Sequence, residues 1–154
     1  MRSLSVYLVI MDETEESRLA LRFASRRAVR TGGIVHIVAI VPQQTFSAFA
    51  VVQATIEDEA RSRAEVLVTA AAGNLVSEGG AMPVVSVREG EHVKVVRDYL
   101  TEHPEVSALV LGAAADGNPG PLVSHFAVVH PGQLPCPLMI VPGSMHDEDV
   151  DRLS

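Results

Sequence analysis

Two hydrophobic rhythms alternate along this chain. Uninterrupted apolar runs at residues 5–11, 34–41, 82–87, 106–112 and 138–141 carry no in-out alternation, the pattern of strands covered on both faces in a parallel sheet. Between them, apolar residues recur every three to four positions, as on the buried stripe of a helix. Leu19, Ala20, Phe23, Ala24 and Ala28 mark the first helix, ending near Arg30. Ile56, Ala60, Ala64, Leu67, Val68, Ala71 and Leu75 mark a second from about Thr55 to Glu78, and Val93, Val96 and Leu100 a third over 91–103. A fourth is expected over 122–129.

The punctuation agrees with the rhythm. Thr14 stands where a side chain caps the first helix, Glu15 and Glu16 lie in its first turn, and Thr31-Gly32-Gly33 stops it. Pro83 sits at a strand start, where a missing N–H does least harm, and Pro104 ends the third helix. Arg18, Arg22, Arg26 and Arg30 form a stripe opposite the apolar face, expected to be solvated. Residues 43–53, with Phe46 and Phe49, are expected to form a loop that lids a pocket or covers the sheet end. Strands alternating with helices predict one α/β domain over residues 1–143: a doubly wound parallel five-stranded sheet with right-handed crossovers and helices on both faces. Residues 144–154 read as an acidic tail, either short helix or disorder.

Composition narrows the class. A chain of 154 residues that is 47% hydrophobic sustains one core. No run approaches the roughly 20 apolar residues of a membrane span. Met1-Arg2-Ser3-Leu4 enters the first strand with no small-residue cleavage site, so a cytoplasmic address is expected. The single cysteine, Cys136, has no internal partner and fits a reducing compartment. A net charge of −7 argues against nucleic acid, whose phosphates are met by lysine and arginine.

In an open parallel sheet, ligands bind beyond the carboxyl ends of the strands, where the strand order reverses. That rule selects Met11-Asp12-Glu13, Ile40-Val41-Pro42, Val87-Arg88-Glu89-Gly90 and the connection from Gly112 to Ser124. Small residues there let backbone approach a ligand, and N–H groups before a helix form an anion site. A glycine-rich turn is equally the ordinary way to join a strand to a helix.

The run from Asp12-Glu13-Thr14 to Phe23-Ala24, the strand-end Gly112, and the closing Leu134-Pro135-Cys136-Pro137-Leu138-Met139-Ile140-Val141-Pro142 resemble the universal stress protein family over most of the chain. The resemblance implies a strand order of 3-2-1-4-5 and a cleft that binds ATP or is ATP-free. It also implies a homodimer paired through the last strand, Leu138 to Val141. ATP-binding members carry G-x2-G-x9-G-[ST] after the fourth strand. Here Gly112 takes the first position, Ala115 replaces the second glycine, and the final pair falls on Gly120-Pro121 or Val123-Ser124. Gly117 and Gly120 are candidates to rebuild the cradle, with Ser124 offering a hydroxyl. By the same resemblance, Asp12 beside Met11 contacts the nucleoside, and Ala39 and Ile40 meet adenine.

Three functions stay open. One is a stress-response regulatory module that binds ATP or AMP, with Mg²⁺, as a homodimer without independent catalysis. Another is a nucleotide-free dimeric interaction protein; a weak ATPase or hydrolase is a third, with only Asp12 and Asp116 as contributors. A receiver domain would need an Asp after the third strand and a Lys after the fifth, where Arg88 and Gly143 stand. Neither a dinucleotide fingerprint nor a P-loop is present. His36, His92, His103, His125, His130 and His146 show no paired metal spacing, His125 and His130 being assigned to different helix faces. Ser124 and His125 lack a nucleophile elbow, and Cys136 has no nearby cation to activate it.

Overall fold

The structure is a computed structural model that describes residues 3–43 and 50–154. The elements in chain order are β1 (Val6–Ile10), α1 (Glu15–Thr31), β2 (Ile34–Val41), α2 (Ala50–Ser77), β3 (Val84–Glu89) and α3 (His92–Glu102). They continue with β4 (Ala108–Ala113), α4 (Pro121–Val123), a π-helical turn (Ser124–Val129), β5 (Leu138–Pro142) and α5 (Asp147–Leu153). All pairs are parallel, in the order β3-β2-β1-β4-β5. The five-stranded doubly wound sheet expected from the sequence is therefore the observed one.

Alternate residues of each strand supply opposite faces. Tyr7, Val9, Val35, Ile37 and Val110 pack with Leu19, Ala20 and Ala24 of α1 and Val68, Ala71 and Leu75 of α2. On the other face Val6, Leu8, Val38, Leu109 and Leu111 pack with Val96, Tyr99 and Leu100 of α3 and with Phe126. Leu8, Val9, Leu109 and Val110 have no exposed surface, and each such side chain contributes roughly 1.5–3 kcal/mol by leaving water.

Local signals set most boundaries. Thr14 Oγ1 accepts the N–H of Ser17, and Gly32 closes α1 in the left-handed region. Glu91 is the cap of α3 rather than its first residue: its carboxylate accepts the N–H groups of Val93 and Lys94, which hold its pKa below the usual range. β3 begins two residues later than the apolar pattern predicts, because Met82 and Pro83 precede the pairing of Val84 with His36. Of the expected loop over 43–53, residues 50–53 belong instead to α2, which starts at Ala50. Phe46 and Phe49 lie outside the described residues.

The arginine stripe is not merely solvated. Residues 144–154 bring α5 back onto α1, with Val150 fully buried against the core. Arg18 bonds Asp147 and Arg22 bonds Asp151, each at 2.7 Å, and Arg26 forms an ion pair with Asp151 at 2.6 Å. Arg30 donates to the Asp151 and Ser154 carbonyl oxygens. Hydrogen bonds from Arg18 and Arg22 hold the Asp147 and Asp151 carboxyls below their ordinary pKa of 3.8. A depressed folded-state pKa gives stability that is complete above the unfolded value and is lost as pH falls through the folded one. Hydrogen exchange at α5 amides should therefore stay slow, relative to intrinsic rates, down to about pH 4. Below that, α5 protection should fall by a small margin while that of the sheet is unchanged, since Val150 still anchors the tail; protection unchanged at lower pH would contradict the arginine clamp.

Candidate functional site

β1 and β4 are adjacent, yet their crossovers leave on opposite sides of the sheet order, so the chain divides at their carboxyl ends. A cavity of about 210 Å³ opens there, lined by Met11, Asp12, Ile40, Gly112, Gly120 and Leu122 among others. A second, of about 220 Å³, adjoins it toward β2 and α2, sharing Met11, Asp12 and Ile40 and adding Ala39 and Arg63. Sequence reasoning thus placed Met11, Asp12, Ile40, Gly112 and Gly120 at the first cavity and Ala39 at the second. Ala115, Gly117 and Ser124 line neither.

Asp12 is fixed by the start of α1. Its N–H donates to Ser17 Oγ at 2.8 Å, while its Oδ1 accepts the N–H of Thr14 at 2.9 Å and the Thr14 hydroxyl. Oδ2 has no hydrogen-bond partner among the described residues, leaving it for a ligand. Met11 is anchored through its N–H to the Val38 carbonyl at 2.8 Å. Removing the Thr14 hydroxyl loses both the cap of α1 and a restraint on Asp12. Thr14→Ala should lower stability by about 1 kcal/mol in urea unfolding; a neutral effect would deny the cap any weight.

Gly112 has a packing reason to be glycine. A Cβ there would stand 2.1 Å from the carbonyl oxygen of Glu16, so its absence lets α1 close onto β4. Gly120 answers a different need, with φ of 113° and nothing near its absent side chain. It turns the connection so that Pro121 can open α4.

The connection is partly self-satisfied. Asn118 Oδ1 accepts the Gly120 N–H at 2.9 Å and the Ser124 hydroxyl at 3.3 Å, and the Ala114 N–H reaches the Pro119 carbonyl. Ser124 is thus turned into the loop. The N–H groups of Leu122 and Val123 have no partner among the described residues, and both residues line the cavity. These two are the anion donors the geometry leaves. Asp12 and Glu16 are the carboxylates of the lining, which contains neither Lys nor Arg.

His92, Thr14, Ser17 and Glu16 also line the cavity but were not among the sequence candidates. The strand-end rule reaches His92, three residues past the end of β3, once that connection is extended past Gly90. Cys136 fits the inert reading, since burial pushes its thiol pKa up.

His125 and His130 correct the helix-face argument. The turn from Ser124 to Val129 is π-helical, with the His130 N–H bonding the His125 carbonyl, so residues five apart share a face. Their ring centroids are 5.1 Å apart.

Solved structures share this architecture. A universal stress protein from Lactobacillus plantarum superposes with a TM-score of 0.73 at 18% identity, covering 92% of this chain and 99% of that one. A universal stress protein in complex with cAMP gives 0.60 at 16% identity, covering 93% and 100%. The Archaeoglobus fulgidus universal stress protein in complex with dAMP gives 0.53 at 16% identity, covering 91% and 98%. No curated protein matches the chain. The sequence profile of the Universal stress protein family matches residues 6–142, from the start of β1 to the end of β5, and the chain therefore belongs to that family.

Proposed function

We propose that this protein is a stress-response regulatory module whose cleft between β1 and β4 binds an adenine nucleotide. The observation that carries the reading is the pair of adjoining cavities at the carboxyl ends of β1, β2 and β4, with the Asp12 carboxylate between them. The adenine lies against Ala39 and Ile40, Asp12 Oδ2 takes a ribose hydroxyl, and the phosphate meets the N–H groups of Leu122 and Val123. Gly117 and Ala115 shape the loop, and Ser124 holds it through Asn118. The structures solved with cAMP and dAMP support an adenine nucleotide as the ligand class.

The lining sets an order among nucleotides. With Asp12 and Glu16 in the first cavity, where the phosphates lie, and no Lys or Arg in its lining, each further phosphate adds repulsion that the loop N–H groups do not offset. AMP should therefore bind at least as tightly as ATP without Mg²⁺. Added Mg²⁺, held by the phosphates, should offset that repulsion and strengthen ATP selectively.

Calorimetric titration of AMP, cAMP and ATP, with and without Mg²⁺, tests this. Asp12→Ala should weaken AMP about 10-fold or more, the value of a hydrogen bond to a charged group. Gly120→Val should weaken it further by moving α4. Equal binding by wild type and both variants would place the nucleotide elsewhere.

A second reading has its own observation. The bonds within Gly112–Ser124 and the two prolines leave few N–H groups for phosphate. No binding of any adenine nucleotide would favour a nucleotide-free interaction protein. In both readings we infer a homodimer paired through β5, since only one edge of that strand is paired, with β4, and Ile140 is 40% exposed. Sedimentation should give a dimer at micromolar concentration; a clean monomer would overturn the pairing.

A further inference from the structure

His36, His103 and Glu105 meet at the end of the sheet opposite the cleft. His36 is the third residue of β2, beside Leu8 of β1 and Val84 of β3. His103 and Glu105 flank Pro104 in the connection from α3 to β4. One ring nitrogen from each histidine and one carboxylate oxygen lie within 4.8 Å of one another. His36 is buried, His103 half-buried and Glu105 exposed, so the cluster opens to water on one side.

We propose that His36, His103 and Glu105 bind a first-row divalent cation of the Zn²⁺ class, at a site separate from the nucleotide cleft. Two imidazoles and a carboxylate are a donor set that zinc accepts, with water completing the tetrahedron. Linear spacing conceals the site, because β2 and the α3–β4 connection are brought together only by the sheet.

The surroundings are those of an oriented ligand. His36 Nδ1 is 2.7 Å from Tyr99 Oη. In the tautomer that donates Nδ1–H to Tyr99, the Nε2 lone pair is left for a metal, and an outer partner of this kind fixes the ring. His103 stacks on Tyr99 with centroids 4.2 Å apart and meets His36 edge-on at 5.5 Å. The Arg88 guanidinium lies 4.6 Å from the Tyr99 centroid and pairs with Glu102. Zinc–nitrogen bonds of about 2.0–2.1 Å place tetrahedral donors about 3.3 Å apart. The donors set as far as 4.8 Å apart must therefore close up by side-chain rotation, which the exposed Glu105 allows. The 2.8 Å contact of His103 Nδ1 with Glu105 Oε1 is then exchanged for metal bonds.

A metal here ties the α3–β4 connection to β2 and has no step in nucleotide binding, so this proposal survives a failure of the adenine reading. The protein is stripped with a chelator, then titrated with Zn²⁺ by calorimetry and with Co²⁺ by visible absorption. One equivalent per chain is expected, with the ligand-field bands of tetrahedral Co²⁺. His103→Ala and Glu105→Ala should each weaken Zn²⁺ at least about 10-fold, as should Tyr99→Phe through the outer contact. His125→Ala and His146→Ala should leave the affinity unchanged. Circular dichroism of the metal-free Glu105→Ala protein, whose changed side chain is exposed, separates lost binding from lost folding. No saturable binding, or equal affinity in wild type, His103→Ala and Glu105→Ala, would overturn the site.

Discussion

Gly112→Val should lower the unfolding free energy by at least about 3 kcal/mol, at or above the usual range for overpacking a core. The added Cβ would meet the Glu16 carbonyl oxygen at 2.1 Å and its carbon at 2.4 Å. Both partners are backbone, so no rotamer change relieves the contact, and α1 must lift from β4. In a domain of this size that corresponds to a fall in midpoint of about 6–12 °C. Gly117→Ala is the internal comparison. Its φ is 67° with nothing within 4 Å of a Cβ, so only backbone strain of about 1–2 kcal/mol applies. Thermal unfolding of the two variants should separate them clearly. A Gly112→Val midpoint as high as that of Gly117→Ala would show that the α1–β4 approach is not what glycine serves there.

Val150→Asp should detach α5 while the sheet remains folded. Burying Val150 is worth roughly 1.5–3 kcal/mol, and a carboxylate in its place would leave an unpaired charge facing Leu19 and Ala24 and the rest of that core. The exposed arginine–aspartate pairs contribute little individually, and they cannot hold α5 once its apolar anchor is gone. Hydrogen exchange should show α5 amides fully exposed and β1 and β4 amides still protected. Asp147→Asn, which weakens one ion-pair partner and keeps Val150, should change protection far less. If α5 stays protected in Val150→Asp, ion pairs rather than burial hold the tail.

Val6–Ile10, Ile34–Val41 and Leu138–Pro142 were legible because a doubly covered parallel strand is apolar throughout, and few other structures need such a run. Thr14 and Gly32 were legible because caps are chemistry within one turn. The β3 start was misplaced because Met82 is as apolar as a strand residue but lies before the ladder, 71% exposed. What escaped the sequence acts across it. Arg22 meets Asp151 at a separation of 129 residues, and His36 meets Tyr99 at 63, so neither spacing carries a local signal. The π-helical turn also escaped, since its apolar residues fit an α-helical period. Within the candidate site, Asp12, Ile40 and Gly120 followed from the strand-end rule. Ser124 was directed inward by Asn118, whose side chain is indistinguishable in sequence from any other turn residue.

Adenine nucleotide binding between β1 and β4 is tested most directly on the protein as purified. The protein is denatured, and the released small molecules are separated by chromatography, identified by mass and counted against chain concentration. The account predicts an adenine nucleotide approaching one per chain, reduced in Asp12→Ala protein prepared in parallel. No released nucleotide, joined by no calorimetric binding of AMP or ATP at millimolar concentration, would contradict it.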